Sequence, residues 1–510
     1  MSMHTVMFTL AVATGVAAAA AKAVYELWLS PLAHIPGPRM YAISSLPLRY
    51  WILRGKSGGL LAELHARYGP IVRVAPWRVS VSDGSAIRHV LGSHRYRKAL
   101  VLGVPWVFAP NTLTTQSPAV NMARRRLLGP GFALQRLREM EPAILQCGVA
   151  NLRYAIDETL SRGRALIQYR DLFTLVAFDT IGVLAFGTDF GAVRAGTHEL
   201  LAALECARRL SQTNASLPSL GAAAALLGVV PQALRLLAQF ASDAVSRRQA
   251  GAPPPMPDLL QLMLDASQAG GRHAALTHAE MVSETALFMN AGMETTSIAM
   301  TSALLLLLHN PHILARLTAD IRQKFPAADG APPITFDDCR EQLPLLGSII
   351  DESLRLLGPV PYISRLVPAG GEVLLDRHIP EGTRVYCAFD AHHRDPRVFP
   401  QPGVFDPDRF MGADRAAARQ HVLAFSVGAR SCLGRNLAVV EMHVVLANLL
   451  RDYDLRLPAG NGGTPVKGLE GQSSTGIVPD IPRAEMPTTA PEFPDRDCLV
   501  IASRPPAPPL

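Results

Sequence analysis

Cys432 lies in Phe425-Ser-Val-Gly428-Ala-Arg430-Ser-Cys432-Leu-Gly434, where two glycines permit a tight backbone course and Arg430 brings positive charge beside the sulfur. A lone cysteine is usually a small buried hydrophobe. Flanked in this way, it suits a thiolate metal ligand instead. At average residue frequencies the pattern F-x-x-G-x-R-x-C-x-G arises by chance in about one chain in ten thousand. A second group, Ala291-Gly292-Met293-Glu294-Thr295-Thr296, sits inside a long apolar stretch. Glycine in a helix interior costs about 1 kcal/mol relative to alanine, and an interior carboxylate costs more unless it is paired or wet. The packing reading of this group is a close helix crossing with a threonine bonded back to the carbonyl four residues earlier. A third group, Glu352-Ser-Leu-Arg355, places opposite charges on one helical face. The same E-x-x-R spacing recurs at Glu205/Arg208 and Glu381/Arg384, so it does not identify itself.

These residues need elements to hold them. Thr277-His-Ala-Glu280 reads as a capping box, and apolar residues then run to His309 before Asn310-Pro311 stops them. That predicts a helix of about 50 Å, long enough to cross a domain and apolar nearly all round, hence buried. Apolar periodicity predicts further helices at about 120–160, 168–187, 197–210 and 220–249. Alternating residues predict strands at 71–75 and 79–82, and strand-like text returns at 364–368, 372–375 and 383–389. The expected architecture is mainly α with a minor β-sheet component, in one body without internal repeats.

The net charge is +7 over 510 residues, too dilute for a nucleic-acid footprint, and 49% hydrophobic content supports a large core. Six dispersed cysteines, with no C-x-x-C, suggest neither a disulfide framework nor structural zinc. Thr5 to Ala21 is uncharged and mostly apolar, a little short of a full membrane span. The positive charge follows it (Lys22, Arg39, Arg49, Arg54, Lys56), which favours an anchor at 1–28 over a cleaved signal peptide and keeps the body cytosolic. Pro31, Pro36 and Pro38 make 29–39 a stiff extended hinge, or an ordinary domain-entry loop, ahead of a body at 40–510.

On the Cys432 motif, the anchor and the proline hinge, the sequence resembles the cytochrome P-450 family of haem-thiolate monooxygenases, microsomal type, and most closely its fungal secondary-metabolism members. The resemblance implies the P-450 fold, with haem b bound through Cys432 as the axial iron ligand. Phe425 would pack near the haem and its ligand sulfur, and Arg430 would pair with a propionate. Gly292 would leave room for dioxygen, while Glu294 and Thr295 would relay protons. Glu352 and Arg355, joined by Arg409 of Phe405-Asp-Pro-Asp-Arg409-Phe410, would form a structural charge network. Asn121-Met-Ala-Arg-Arg125 resembles a helix in which an aromatic residue precedes a propionate-binding arginine by four positions. Asn121 departs from that pattern, and Arg124 and Arg126 compete with Arg125 for the role. Arg365 resembles a further propionate partner, with a plain strand-surface arginine as the alternative.

Electrons would come from a membrane-bound NADPH-cytochrome reductase, since no dinucleotide fingerprint is present. The implied location is the endoplasmic reticulum membrane. The resemblance places the pocket lining in parts of 100–115, 205–240, 288–295, 360–364 and 474–478, and their mostly apolar residues imply an apolar substrate of terpenoid, polyketide or alkaloid type. A reductase-independent isomerase or peroxygenase, and a non-catalytic haem sensor, are the competing functions.

Overall fold

A computed structural model describes residues 3–99, 107–251, 258–269, 276–327, 330–458, 483–485, 488–491 and 498–504. The expected segments 100–106 and 474–478 lie outside the described residues. The helices that bear on the site are α1 (Met3–Val24), α2 (Pro118–Leu128), α3 (Tyr169–Phe186), α4 (Glu199–Ser216), α5 (His278–Leu308), α6 (Pro344–Leu357) and α7 (Arg435–Asp452). The body is mainly helical with small sheets, as expected.

Helix α5 has 31 residues and starts at Thr277, where the capping box is formed on both sides: Thr277 Oγ1 accepts from Glu280 N, and Glu280 accepts from Thr277 N at 2.9 Å. It is hydrophobic enough to cross a membrane by composition, yet it is largely buried among other helices and is therefore the core helix. It packs against α3, α6 and α7, and their Leu, Ile, Val, Met and Phe side chains form one continuous apolar core.

The largest sheet contains β1 (Ile71–Ala75), β2 (Arg78–Val81), β3 (Arg97–Lys98), β4 (Tyr362–Leu366) and β5 (Arg384–Ala388), in the order β1-β2-β5-β4-β3. β2 and β5 are parallel and the other pairs antiparallel. The two-residue β3 carries no periodicity of its own, and the sequence gives no sign of it. It matters because it delivers Lys98 beside Arg365 of β4. A hairpin of β6 (Arg483–Glu485) and β7 (Thr489–Pro491) contacts α5.

None of α1 is buried by the rest of the chain, although it presents Met3, Phe8, Leu10 and Val16. A π-helical turn at Tyr25–Leu29 continues it and docks on the body. There Arg73, 2% exposed in β1, donates to the Glu26 carbonyl at 2.6 Å, to the Glu26 carboxylate at 2.5 Å, to Ser30 Oγ at 3.2 Å and to Pro76 O at 2.9 Å. The proline segment is docked as well. Arg73 N donates to Pro36 O at 2.7 Å, and Leu32 and Ile35 are buried against the sheet. Of the two readings of 29–39, hinge or domain-entry loop, the packing is that of a segment docked on β1, because its apolar residues find a core and its carbonyl finds a strand donor.

Glu26→Gln is expected to destabilise the body by about 3 kcal/mol, the lower end for breaking a buried pair, since Arg73 keeps its carbonyl partners. Denaturant unfolding of the detergent-solubilised chain checks this, and a change under about 1 kcal/mol would reject the buried-clamp account.

Candidate functional site

The Cys432 loop enters from the left-handed Gly428, which has φ 75°. A Cβ there would collide with the Leu91 carbonyl, so this glycine is required twice, by conformation and by close approach. Cys432 N donates to Phe425 O at 2.8 Å, which folds the loop back on itself, and Arg435 lies over the Phe425 ring at 5.7 Å. The Cys432 sulfur is accessible, yet the protein around it desolvates it strongly, as on the wall of an internal cleft. Burial pushes the thiol up, while the Gly434 N–H and the Arg125 and Arg435 charges pull it down; the net direction is up. A bound metal cation would reverse that balance, because a coordinating thiol is deprotonated outright.

Arg125 is the α2 arginine at this loop, donating to Ser431 O at 2.8 Å. Arg124 is already engaged with Glu280 at 2.6 Å and Glu284 at 3.2 Å, and Arg126 is exposed. Structure thus separates three arginines that spacing alone could not. Arg430 donates to Thr115 O at 3.0 Å and Gln116 O at 3.4 Å, leaving its buried Nε without a partner. Arg365, 6% exposed, donates to Ser364 O at 3.0 Å, and burial is the main reason its pKa falls to about 10.

Lys98, which sequence reasoning missed, completes this group. Its pKa falls to about 7, through burial first and then through the charges of Arg430, Arg365 and Arg125. Lys98, Arg125, Arg365 and Arg430 donate hydrogen bonds to carbonyl oxygens. A half-buried group of cations with an orphaned guanidinium N–H has the chemistry of a site for a polyanion, which fits the carboxylates of a haem near Cys432. The only sequence signal for Lys98 was a charged pair closing the text His94-Arg-Tyr-Arg-Lys98.

Asn121 makes a different contact from the one its position suggests. It is buried, and its amide donates to Thr112 O at 3.0 Å, tying down the neighbouring segment.

On α5, Asn290 to Gly292 and Glu294 to Thr295 form an accessible window ahead of the fully buried run Thr296–Leu308. Thr295 Oγ1 donates to Ala291 O at 2.8 Å. Glu294 accepts from Thr488 Oγ1 at 2.7 Å and lies 3.4 Å from Arg208 Nε of α4. Among the described residues, no direct hydrogen bond joins Glu294 to Thr295. Burial raises the Glu294 carboxyl, against the pull of Arg208 and Thr488. Gly292 answers to the crossing of α3: a Cβ would stand 2.9 Å from Ile181 Cδ1. The close crossing gives this glycine a packing role beside its place in the accessible window.

Glu352 of α6 meets Arg355 through Nε at 2.6 Å and Nη2 at 2.7 Å, and Arg409 Nε approaches at 3.4 Å. Of the E-x-x-R matches, Glu205 and Arg208 also pair, but beside Glu294 and partly exposed. The Glu352 trio lies in the core and braces carbonyls at Pro400, Gln401, Pro402 and Val404, ahead of the cysteine loop.

A thiol loop near cations, with an acid and an alcohol on a core helix, has the donor set that a thiolate-ligated cofactor would need. The Cytochrome P450 family profile matches residues 36–477, and the chain belongs to that family. The chain is 32% identical to cytochrome P450 monooxygenase helB1 of Aspergillus fumigatus over 502 residues, covering 94% of this chain and 82% of the relative. It is 32% identical to cytochrome P450 monooxygenase BipB of Cochliobolus sativus over 457 residues, covering 85% and 87%. Its fold matches the haem domain of cytochrome P450DA with a TM-score of 0.75 at 21% identity, covering 92% of this chain and 98% of that one. The chain is accordingly a monooxygenase, and its family implies a haem cofactor.

Proposed function

We propose that the chain inserts one oxygen atom from O2 into an apolar small molecule of terpenoid, polyketide or alkaloid type, in fungal secondary metabolism. Electrons come from a membrane-bound NADPH-cytochrome reductase. The observation that carries this reading is the accessible Cys432 sulfur beside Lys98, Arg125, Arg365 and Arg430. Haem b bound through Cys432 supplies the activation of dioxygen. Arg125, Arg365, Arg430 and Lys98 orient it through its carboxylates, and Phe425 closes the loop at the sulfur side.

Glu294, raised by burial, holds a proton nearer to neutral pH than an ordinary carboxylate does, as a general acid requires. Thr295 Oγ1 is a donor that can turn from its helix carbonyl toward the cleft. Proton passage between the two runs through solvent in the accessible window. The α1 helix anchors the body at the endoplasmic reticulum membrane with its catalytic face in the cytosol, supported by the helix's wholly uncovered apolar surface.

Reconstitution with purified reductase and NADPH, scored by product formation in an extract of a strain lacking the gene, tests the function. Turnover supported by peroxide alone, with none from NADPH, would overturn it. Thr295→Ala is expected to leave the reduced carbon monoxide spectrum intact while most NADPH consumption becomes unproductive. Equal product per NADPH in the variant would reject the proton-relay role.

A further inference from the structure

Segment 109–116 is suspended by its carbonyl oxygens. Ala109 O accepts from Ser283 Oγ at 2.6 Å, Pro110 O from Arg124, and Thr112 O from Asn121 Nδ2 at 3.0 Å and Lys98 Nζ at 3.3 Å. Leu113 O accepts from Lys98, Thr115 O from Arg430 at 3.0 Å, and Gln116 O from Arg430 at 3.4 Å. Asn111 Oδ1 closes the turn from within, accepting from Leu113 N at 3.1 Å and Thr114 N at 2.9 Å.

One carboxylate fixes this segment to the core helix. Glu284 of α5, 0% exposed, accepts from Thr112 N at 2.7 Å and from Thr112 Oγ1 at 2.9 Å, with Arg124 at 3.2 Å as its counter-charge. The segment therefore hangs between a rigid helix on one side and two cations of the polyanion site on the other. Lys98 and Arg430 repel each other and Arg125, and the flexible lysine is held facing inward by the Thr112 and Leu113 carbonyls together with the attraction of the Glu284 charge behind them.

We propose that Glu284 is a positioning residue for the cofactor: by holding Thr112 it fixes the carbonyls on which Lys98 and Arg430 are hung, and so sets where those cations meet the haem carboxylates. The role is indirect and works through Thr112. Glutamine can keep an oxygen acceptor for Thr112, whereas leucine cannot. The inference rests on the haem reading above.

The test is the rate at which the purified ferric holoprotein gives up haem to apomyoglobin, read in a double-mutant cycle. Glu284→Leu is expected to speed release at least tenfold, Glu284→Gln to restore most of that loss, and Lys98→Met to speed release on its own. In the Lys98→Met background, Glu284→Leu is expected to add markedly less than it does in the wild type. A general weakening of the fold would instead multiply the two effects in full, and that outcome overturns the proposal. So does a wild-type release rate in Glu284→Leu, or failure of glutamine to rescue. Should the leucine variant not accumulate folded, Thr112→Val, which removes the hydroxyl arm alone, takes its place in the same cycle, with a smaller but still sub-multiplicative effect expected. Wild-type protein that takes up no haem would sink the cofactor reading itself, a result distinct from a loaded wild type with independent variants.

Discussion

Cys432→Ser is expected to give a folded chain whose reduced carbon monoxide spectrum lacks the thiolate-ligated Soret band and whose NADPH-dependent turnover falls to background. The loop course is set by Gly428 against Leu91 O and by the Cys432 N to Phe425 O bond, neither of which involves the sulfur, so the variant keeps its backbone. What changes is the donor atom. In the wild type, the thiol sits against a backbone N–H and close to Arg125 and Arg435, groups that lower the cost of its anion. A serine hydroxyl in the same place is much harder to ionise and is a poorer match for iron. Spectra of the ferric, ferrous and carbon monoxide forms check the expectation. If all three were unchanged, another residue would have to be the ligand, and the assignment of this site would fail.

Glu352→Leu is expected to cost about 3–5 kcal/mol of stability, the range for removing one partner of a buried pair. The intact pair is not itself a large source of stability, since burial outweighs the opposing charges and raises the Glu352 carboxyl. The loss comes from what remains. Arg355 is 1% exposed and would be left charged in the core, with the carbonyls of His393, Pro402 and Val404 as its hydrogen-bond acceptors. It also lies over Phe399 at 4.9 Å, so its movement would disturb the segment that leads to the cysteine loop. Denaturant titration followed by intrinsic fluorescence, together with haem content, measures both effects. Arg355→Lys in an otherwise wild-type chain should also lower stability, because an ammonium cannot make the two parallel bonds to Glu352. A loss below about 1 kcal/mol in Glu352→Leu would show that the trio is dispensable.

The parts of this molecule readable from sequence are those whose physics is local. The Cys432 loop needs its glycines, arginine and sulfur within ten positions, and α5 announces both ends through its capping box and Asn310-Pro311. The helical body is legible for the same reason, from periodicity within single segments. What escaped depends on partners distant in the chain. Lys98 acquires meaning only when a two-residue strand places it beside Arg365. Glu284 reads as one more polar residue in an apolar run until Thr112 and Arg124 close on it. Spacing supplied several E-x-x-R candidates, and burial together with the third partner Arg409 separates Glu352 from Glu205. Gly292 carries a packing contact that its motif did not announce, the approach of Ile181 from α3.

The Arg73 junction also bears on how the molecule rides at a surface. With α1 running into a turn whose carboxylate is bolted into β1, the body cannot swivel like a float on a cord. Under the proposed anchoring, its tilt would be inherited from the helix, so the direction of α1 would also fix the bearing of the Cys432 side of the body.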